Sequence, residues 1–146
     1  MKIVNYVVGF MFDKEHNVWL IKKNKPEWQK GRYNGIGGKI ESYDLDHYAA
    51  MSREFFEETS ALTEPYEWTE FCTYGWKDGI VHFFYLHDLD LKHYGYVRTN
   101  TDEEVCCFGF SAAINTNSIY NLKWLLPLAL DPSLDFEKNG PIIVNE

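Results

Sequence analysis

Residues 37–62 of the 146-residue chain read GGKIESYDLDHYAAMSREFFEETSAL. Three glutamates in this stretch, Glu54, Glu57 and Glu58, directly follow Arg53. Positions i, i+3 and i+4 lie on one face of an α-helix, so the three carboxylates are expected to point the same way. Without a bound cation, like charges at this spacing repel one another and destabilise the helix. A hard divalent cation reverses that effect because Mg²⁺ prefers carboxylate oxygens. The stretch therefore predicts a metal-binding helix face.

The segment before these glutamates predicts how the helix begins. Gly37 and Gly38 form a pair that favours a tight loop, which can bring backbone carbonyls and amides close to the same ion. Asp44 and Asp46 are both candidate N-caps for a helix expected over residues 47–60.

One apolar stripe of this helix is expected to pack on a sheet. Met51 and Phe55 form the stripe, with Ser52 and Phe56 beside it. We expect the stripe to face away from the glutamates.

The rest of the chain is rich in predicted strands. Segments rich in apolar, aromatic and β-branched residues predict strands over residues 2–12, 18–22, 67–76, 81–86 and 105–110, and residues 33–40 are expected to be a short, glycine-rich extended segment. A second amphipathic helix is predicted over residues 121–130, with Pro127 expected to kink it, and residues 131–146 carry only weak signals. This order predicts one domain over residues 1–146, an α/β (α+β) sandwich with helices on both faces of a mixed central sheet.

Composition narrows the classes of partner. The net charge is −8, from 14 basic and 22 acidic residues, which argues against extended nucleic acid or an anionic membrane as partner. No segment approaches the roughly 20 apolar residues of a membrane helix, and residues 1–12 do not resemble a signal peptide. The three cysteines have no framework spacing and predict reduced thiols in a cytoplasmic protein.

The opening stretch resembles the Nudix hydrolase signature, G-x5-E-x7-R-E-U-x-E-E-x-G-U, where U is a bulky aliphatic residue. Gly38 matches the first glycine, and residues 53–58 match R-E-U-x-E-E with Phe55 at the bulky position. Residues 31–39, GRYNGIGGK, resemble the approach strand of MutT-like enzymes that clear oxidised nucleotides. Residues 121–128, NLKWLLPL, resemble the last helix of the same group.

The match departs from the signature at two places. Asp44 stands where the first glutamate is expected, and eight residues rather than seven separate it from Arg53; Asp46 is the alternative. Ser60 replaces the glycine that would give the helix a left-handed C-cap, which implies a costlier or different termination.

The resemblance implies a Nudix-type α/β/α sandwich and a hydrolase acting on phosphoric anhydride bonds. It implies Mg²⁺, with Mn²⁺ as an alternative, and a metal site that comprises Gly38, Glu54, Glu57, Glu58 and Glu103. Catalysis would use Glu54, Glu57 and Glu103, with Arg53 orienting the carboxylates. For the distant acid, Glu104 is the alternative to Glu103.

The resemblance implies as substrate an oxidised purine nucleoside triphosphate such as 8-oxo-dGTP, cleaved to the monophosphate and pyrophosphate. Amide side chains can donate and accept at once, and Asn34 and Asn121 resemble asparagines of MutT-like enzymes that pair with the base; a turn and a helix N-cap are their respective alternatives. The remaining predicted contacts are stacking by Tyr33, Trp124 or Phe83 and a phosphate contact by Lys39.

Two other functions remain open at this stage. One is hydrolysis of another nucleoside diphosphate derivative: a dinucleotide polyphosphate, a nucleotide sugar or an RNA cap. The other is a Nudix-like module that binds nucleotides without hydrolysing them. The expected partner in every case is a nucleotide, and the chain is expected to be a monomer or homodimer.

Overall fold

The computed structural model describes residues 2–146, over which the chain forms eight strands and four α-helices. The strands are β1 Val4–Phe12, β2 Val18–Lys22, β3 Tyr33–Asn34, β4 Ile36–Lys39, β5 Thr69–Trp76, β6 Gly79–His87, β7 Val105–Phe108 and β8 Ile142–Asn145. The helices are α1 His47–Thr59, α2 Phe110–Asn115, α3 Leu122–Ala129 and α4 Phe136–Asn139. All eight strands join one sheet.

The sheet is mixed, as predicted, and β1 lies at its centre. β1 runs parallel to β6 over its whole length and antiparallel to β2 and β4. β5 pairs antiparallel with β6 and parallel with β8, while β7 pairs antiparallel with β2. The main strand order is β3-β2-β1-β6-β5-β8.

Helices cover both faces of the sheet because β1 alternates its side chains between two cores. Val7 and Met11 belong to the core on the α1 face. Phe10 and Phe12 belong to the core that contains residues of α2, α3 and α4. The predicted α/β/α sandwich is therefore confirmed.

Helix α1 has a different cap at each end. Asp46 accepts a hydrogen bond from the Ala49 amide at 2.8 Å and is the N-cap. The helix ends at Ser60, whose φ of 65° places it in the left-handed region. A non-glycine residue there is strained, so the costlier termination expected for Ser60 is confirmed.

The apolar stripe of α1 is narrower than predicted. Met51 and Phe55 are fully buried, but Phe56 is 46% exposed. Glu54 is only 8% exposed, so one residue of the acidic face is buried together with the apolar stripe.

Two other parts of the chain differ from prediction. The strand predicted over residues 105–110 ends at Phe108, and α2 begins at Phe110. The weakly patterned tail supplies α4 and β8, which pairs with β5 about 70 residues earlier in the chain.

In the part of the chain that the structure describes, no helix has the length and apolar character needed to cross a membrane.

Candidate functional site

Arg53 connects the glycine loop to the acidic face of α1. Its Nε and Nη2 each donate to a different oxygen of Asp44 at 2.8 Å. Nη2 also donates to the Lys39 carbonyl at 3.1 Å, and Nη1 donates to the carboxylates of Glu57 at 3.0 Å and Glu54 at 3.3 Å. The guanidinium therefore orients the loop and two glutamates together.

The two candidate aspartates have separate tasks. Asp44 pairs with Arg53 through both oxygens and accepts the Glu41 amide at 2.8 Å. The hydrogen bonds from Arg53 hold the pKa of Asp44 below its usual value, although burial opposes them. Asp46 caps α1 instead. Asp44 thus occupies the position next to the arginine in spite of the longer interval.

Gly38 lies directly against Glu54. A Cβ added at Gly38 would overlap the carboxylate oxygens and lie 2.6 Å from the Glu54 carboxyl carbon, so a larger residue there would force the Glu54 carboxylate to move. Burial raises the pKa of Glu54 to about 7, with Arg53 opposing the rise and Glu57 and Glu58 adding to it.

The loop of residues 99–104 packs on the C-terminal end of α1. Asn100 donates to the carbonyls of Glu57, at 2.9 Å, and Glu58, at 3.1 Å. Thr101 Oγ1 donates to Glu58 Oε2 at 3.0 Å. These contacts place the distant acidic loop beside the helix glutamates.

Of the two acids proposed from this loop, Glu103 is the one near the cluster. Glu103 is 6% exposed and accepts hydrogen bonds from Lys23 Nζ at 3.2 Å and from the Asn24 amide at 2.6 Å. The pKa of Glu58 is raised mainly by its own burial, and the charge of Glu103 adds to the rise. Glu104 is exposed and accepts from the Cys106 thiol at 3.3 Å.

The donor atoms of these residues are of the type that a hard divalent cation prefers. The side-chain donors are carboxylate oxygens, from Glu54, Glu57, Glu58 and Glu103, which suit Mg²⁺ or Mn²⁺. The Gly38 backbone approaches them closely because no side chain intervenes.

A cavity of about 470 Å³ adjoins the glycine loop. It lies on the sheet face that carries α3, since Val8 and Phe83, which line it, point into the core on that side. Four residues predicted to contact substrate line this cavity: Asn34, Lys39, Phe83 and Asn121.

Asn121 presents an unpaired acceptor in the wall of this cavity. Among residues 2–146, its Oδ1 and Ser118 Oγ are the buried side-chain polar atoms without a hydrogen-bond partner. The alternative N-cap role is not realised, because the Asn121 side chain makes no capping hydrogen bond to α3. An unpaired buried acceptor is destabilising by about 1–3 kcal/mol, so a ligand donor would relieve it.

Asn34 is better paired. Its Oδ1 accepts the Gly35 amide at 2.8 Å, and its Nδ2 donates to Gln29 Oε1 at 3.2 Å. Gln29 also lines the cavity. The two amides thus form one polar wall.

Two residues predicted to stack on a base are not part of the cavity wall. Tyr33 packs edge-on against Phe108, with ring centroids 4.9 Å apart. Trp124 lies on the exposed side of α3, 6.4 Å from the Tyr74 ring. Neither ring therefore belongs to the wall that contains Asn34 and Asn121.

Sequence reasoning missed Trp28, which lines the cavity and is 58% exposed. It lies in the single turn Glu27–Gln29. A tryptophan in an otherwise polar loop was the available signal, because an exposed large aromatic ring there has no core to fill. Lys23, at the boundary of the cavity and bonded to Glu103, was also missed.

Comparison with known proteins identifies the class. The model of the NUDIX domain family matches residues 2–133, so the chain belongs to this family. The predicted enzyme class, a pyrophosphohydrolase acting on phosphoric anhydride bonds, is confirmed by that membership. No curated protein sequence matches the chain significantly.

Solved structures share the fold at low sequence identity. The MutT NUDIX hydrolase from Burkholderia pseudomallei is 17% identical with a TM-score of 0.69, over 88% of this chain and 98% of that one. The mutator MutT protein from Bacillus halodurans is 15% identical with a TM-score of 0.67, over 85% and 80%. The NUDIX domain of Shewanella oneidensis NrtR, solved with ADP-ribose, is 13% identical with a TM-score of 0.76, over 92% and 90%.

Proposed function

We propose that this Nudix protein is a Mg²⁺-dependent nucleoside triphosphate pyrophosphohydrolase of the MutT-like type, acting on an oxidised purine nucleotide such as 8-oxo-dGTP. The observation that carries the proposal is the unpaired acceptor of Asn121 in a cavity next to a carboxylate cluster. The cavity is within the usual range for a small-molecule site, about 300–1,000 Å³.

The base would be recognised through its edge. 8-Oxoguanine carries an N–H at N7, where guanine presents an acceptor. Asn121 Oδ1 accepts and has no donor in the protein, so it favours a base edge that donates. A ligand that places an acceptor there leaves the same unpaired-group penalty in force. Trp28 and Phe83 offer rings for stacking.

The phosphates would extend toward the glycine loop. Lys39, which follows Gly38, and Lys23 both line the cavity, and their charges suit a polyphosphate. Lys23 also donates to Glu103, which links the phosphate end of the cavity to the acidic cluster.

Glu54, Glu57, Glu58 and Glu103 would hold the metal, which when bound neutralises phosphate charge and lowers the pKa of a bound water. Arg53 keeps Glu54 and Glu57 in place through its hydrogen bonds and does not itself line the cavity. Glu103 keeps spare acceptor capacity, because a carboxylate offers about four lone-pair sites and two are engaged. It can therefore accept the proton of an attacking water as general base.

The test is a substrate panel with Mg²⁺ containing dGTP, 8-oxo-dGTP, the other canonical triphosphates and ADP-ribose, scored for the products released. We expect the highest kcat/KM for 8-oxo-dGTP, with pyrophosphate as product. Asn121→Ala should reduce the preference for 8-oxo-dGTP over dGTP about 5–150-fold, the factor that about 1–3 kcal/mol represents. Asn115→Ala, on the exposed face of α2, is the matched control. No turnover of any triphosphate would refute the proposal.

A second candidate is hydrolysis of another nucleoside diphosphate derivative. The NrtR domain solved with ADP-ribose favours this candidate, because its TM-score is the highest of the three structures described above. Cleavage of ADP-ribose to AMP in the same panel, without pyrophosphate, would identify this activity. Tight nucleotide binding without turnover, unchanged in Glu57→Gln, would instead indicate a binding module.

A further inference from the structure

A second cluster of potential metal ligands lies outside the site described above. It consists of His47, the first residue of α1, Glu70 on β5 and His82 on β6. One donor atom from each residue lies within 4.8 Å of the other two.

This cluster lies on the sheet face opposite the cavity. His82 alternates along β6 with Phe83, which lines the cavity, and shares its direction with Phe84, which belongs to the α1 core. Along α1, Glu54 lies seven positions after His47, which is a rise of about 10 Å. The cluster is therefore separate from both the cavity and the glutamates.

The Glu70 carboxylate lies between the two histidines. Its Oε2 is 3.0 Å from His82 Nδ1, and its Oε1 is 3.6 Å from His47 Nδ1. The two imidazole rings have centroids 3.8 Å apart, so the exposed His47 ring must rotate away from His82 for both nitrogens to bind one ion at tetrahedral angles.

Neighbouring residues hold two of the three ligands in place. Thr73 Oγ1 donates to Glu70 Oε2 at 2.8 Å. His82 Nε2 lies 3.3 Å from Asn5 Oδ1, and His82 Nδ1 lies 3.0 Å from Glu70 Oε2. These contacts on both ring nitrogens fix the orientation of the imidazole, with Nδ1 facing the Glu70 carboxylate.

The cluster is partly closed. The side chains of His82 and Glu70 are 8% and 11% exposed, whereas that of His47 is 44% exposed. An ion could therefore enter from the His47 side and keep a water as fourth ligand, an arrangement that zinc adopts with two histidines and a glutamate.

We propose that His47, Glu70 and His82 bind a transition-metal ion, with Zn²⁺ as the preferred ion. Mg²⁺ is disfavoured because it takes oxygen ligands, while imidazole nitrogen suits zinc and its neighbours. The N-terminus of α1 carries only about half a positive charge, which the full negative charge of Glu70 outweighs. Because its ligands come from α1, β5 and β6, the ion cross-links the start of α1 to the two strands and so stabilises the helix that carries the acidic cluster.

The test is calorimetric titration of the metal-free protein with ZnCl2 in excess MgCl2, which occupies the carboxylate site. We expect one equivalent of tightly bound Zn²⁺ and a rise in the thermal unfolding temperature. His47→Gln should weaken zinc binding more than 100-fold, and Thr73→Val about 10–100-fold, the range for loss of an outer-shell partner. His16→Asn, at an exposed turn position that asparagine tolerates, is the control and should bind zinc as the natural chain does.

Equal zinc affinity in the natural chain and His47→Gln would overturn the proposal, as would the absence of any zinc-dependent rise in unfolding temperature. The visible spectrum of the Co²⁺-loaded protein provides a second measurement. Tetrahedral nitrogen and oxygen ligation gives intense bands, which should disappear in His47→Gln; weak octahedral bands in the natural chain would contradict the proposed geometry.

Discussion

The two ends of α1 carry different donor chemistry on the same helix. The N-terminal end brings His47 to Glu70 and His82, a mixed set of nitrogen and oxygen atoms. The C-terminal half brings glutamates to a glycine loop and a second acidic loop, with only oxygen donors. The difference shows that the neighbouring strands and loops decide which ion each end of a helix suits. The following four substitutions test that separation.

The largest effect is expected from Glu57→Gln. The Glu57 side chain is 50% exposed, so the fold should persist, while loss of one carboxylate charge should lower kcat at least about 100-fold. Steady-state kinetics with Mg²⁺ measures the loss, and Glu137→Gln on the exposed surface of α4 is the control. Zinc-dependent stabilisation should be unchanged. If zinc binding fell together with kcat, the two ends of α1 would not be independent.

Gly38→Ala should have the next largest effect. The added Cβ must displace the Glu54 carboxylate, so we expect kcat to fall about 10–100-fold and stability to fall by about 1–3 kcal/mol. Gly95→Ala is a matched control because a Cβ there meets no atom within 4 Å. Equal activity of the two variants would show that Glu54 does not depend on the close approach of Gly38.

Asp44→Asn tests the ion pair that joins the loop to the helix. The substitution should lower the free energy of unfolding by about 1–3 kcal/mol at pH 7. The loss is limited to this range because Arg53 keeps Glu54 and Glu57 as partners. The pKa of Asp44 is lowered in the folded protein, so its contribution is fully present above the unfolded value of about 3.9 and is lost as pH falls through the folded value.

The difference in unfolding free energy between the natural chain and Asp44→Asn should therefore shrink below about pH 4. Urea titrations at pH 7 and at pH 3 measure it, with the exposed Asp90→Asn as reference. A difference that stayed constant with pH would exclude the charged pair as its source.

The smallest effect is expected at the C-terminus of α1. Ser60 has φ of 65°, so Ser60→Gly should raise stability by about 0.5–1 kcal/mol after the greater unfolded-state entropy of glycine is allowed for. Ser111→Gly, within α2, should lower stability instead. Denaturant midpoints of the two variants give the comparison, and a loss in both would mean that Ser60 makes compensating contacts.

Local pattern was sufficient for much of the fold. Helix α1 was predicted to within one residue because its cap, its helix formers and its apolar spacing agree. Strands β5 and β6 were also predicted from local pattern, and each of their ends lies within two residues of its predicted position. The short strand β8 was not predicted, because four exposed or half-exposed residues carry little periodicity and its partner β5 is remote in the chain.

The candidate site divides in the same way. Helical spacing alone predicts that Glu54, Glu57 and Glu58 share a face. It does not predict that Glu54 is buried against Gly38 or that Asp44, and not Asp46, pairs with Arg53. Both depend on the path of the loop before α1. That loop is one residue longer than the family pattern, and local sequence rules do not predict how the chain accommodates the extra residue.

By itself, the sequence determined the carboxylate face of α1 and the family, and it narrowed the N-cap to Asp44 or Asp46, because these depend on spacing within a few turns of chain. Only the tertiary structure decided which distant residues join that helix. Pairing of β1 with β6 and of β5 with β6 brings Asn5, Glu70 and His82 to one face of the sheet, where His47 meets them. The opposite face brings Trp28, Asn34 and Asn121 around one cavity. Strand register places side chains on one face or the other, and register is a long-range property that local sequence does not carry.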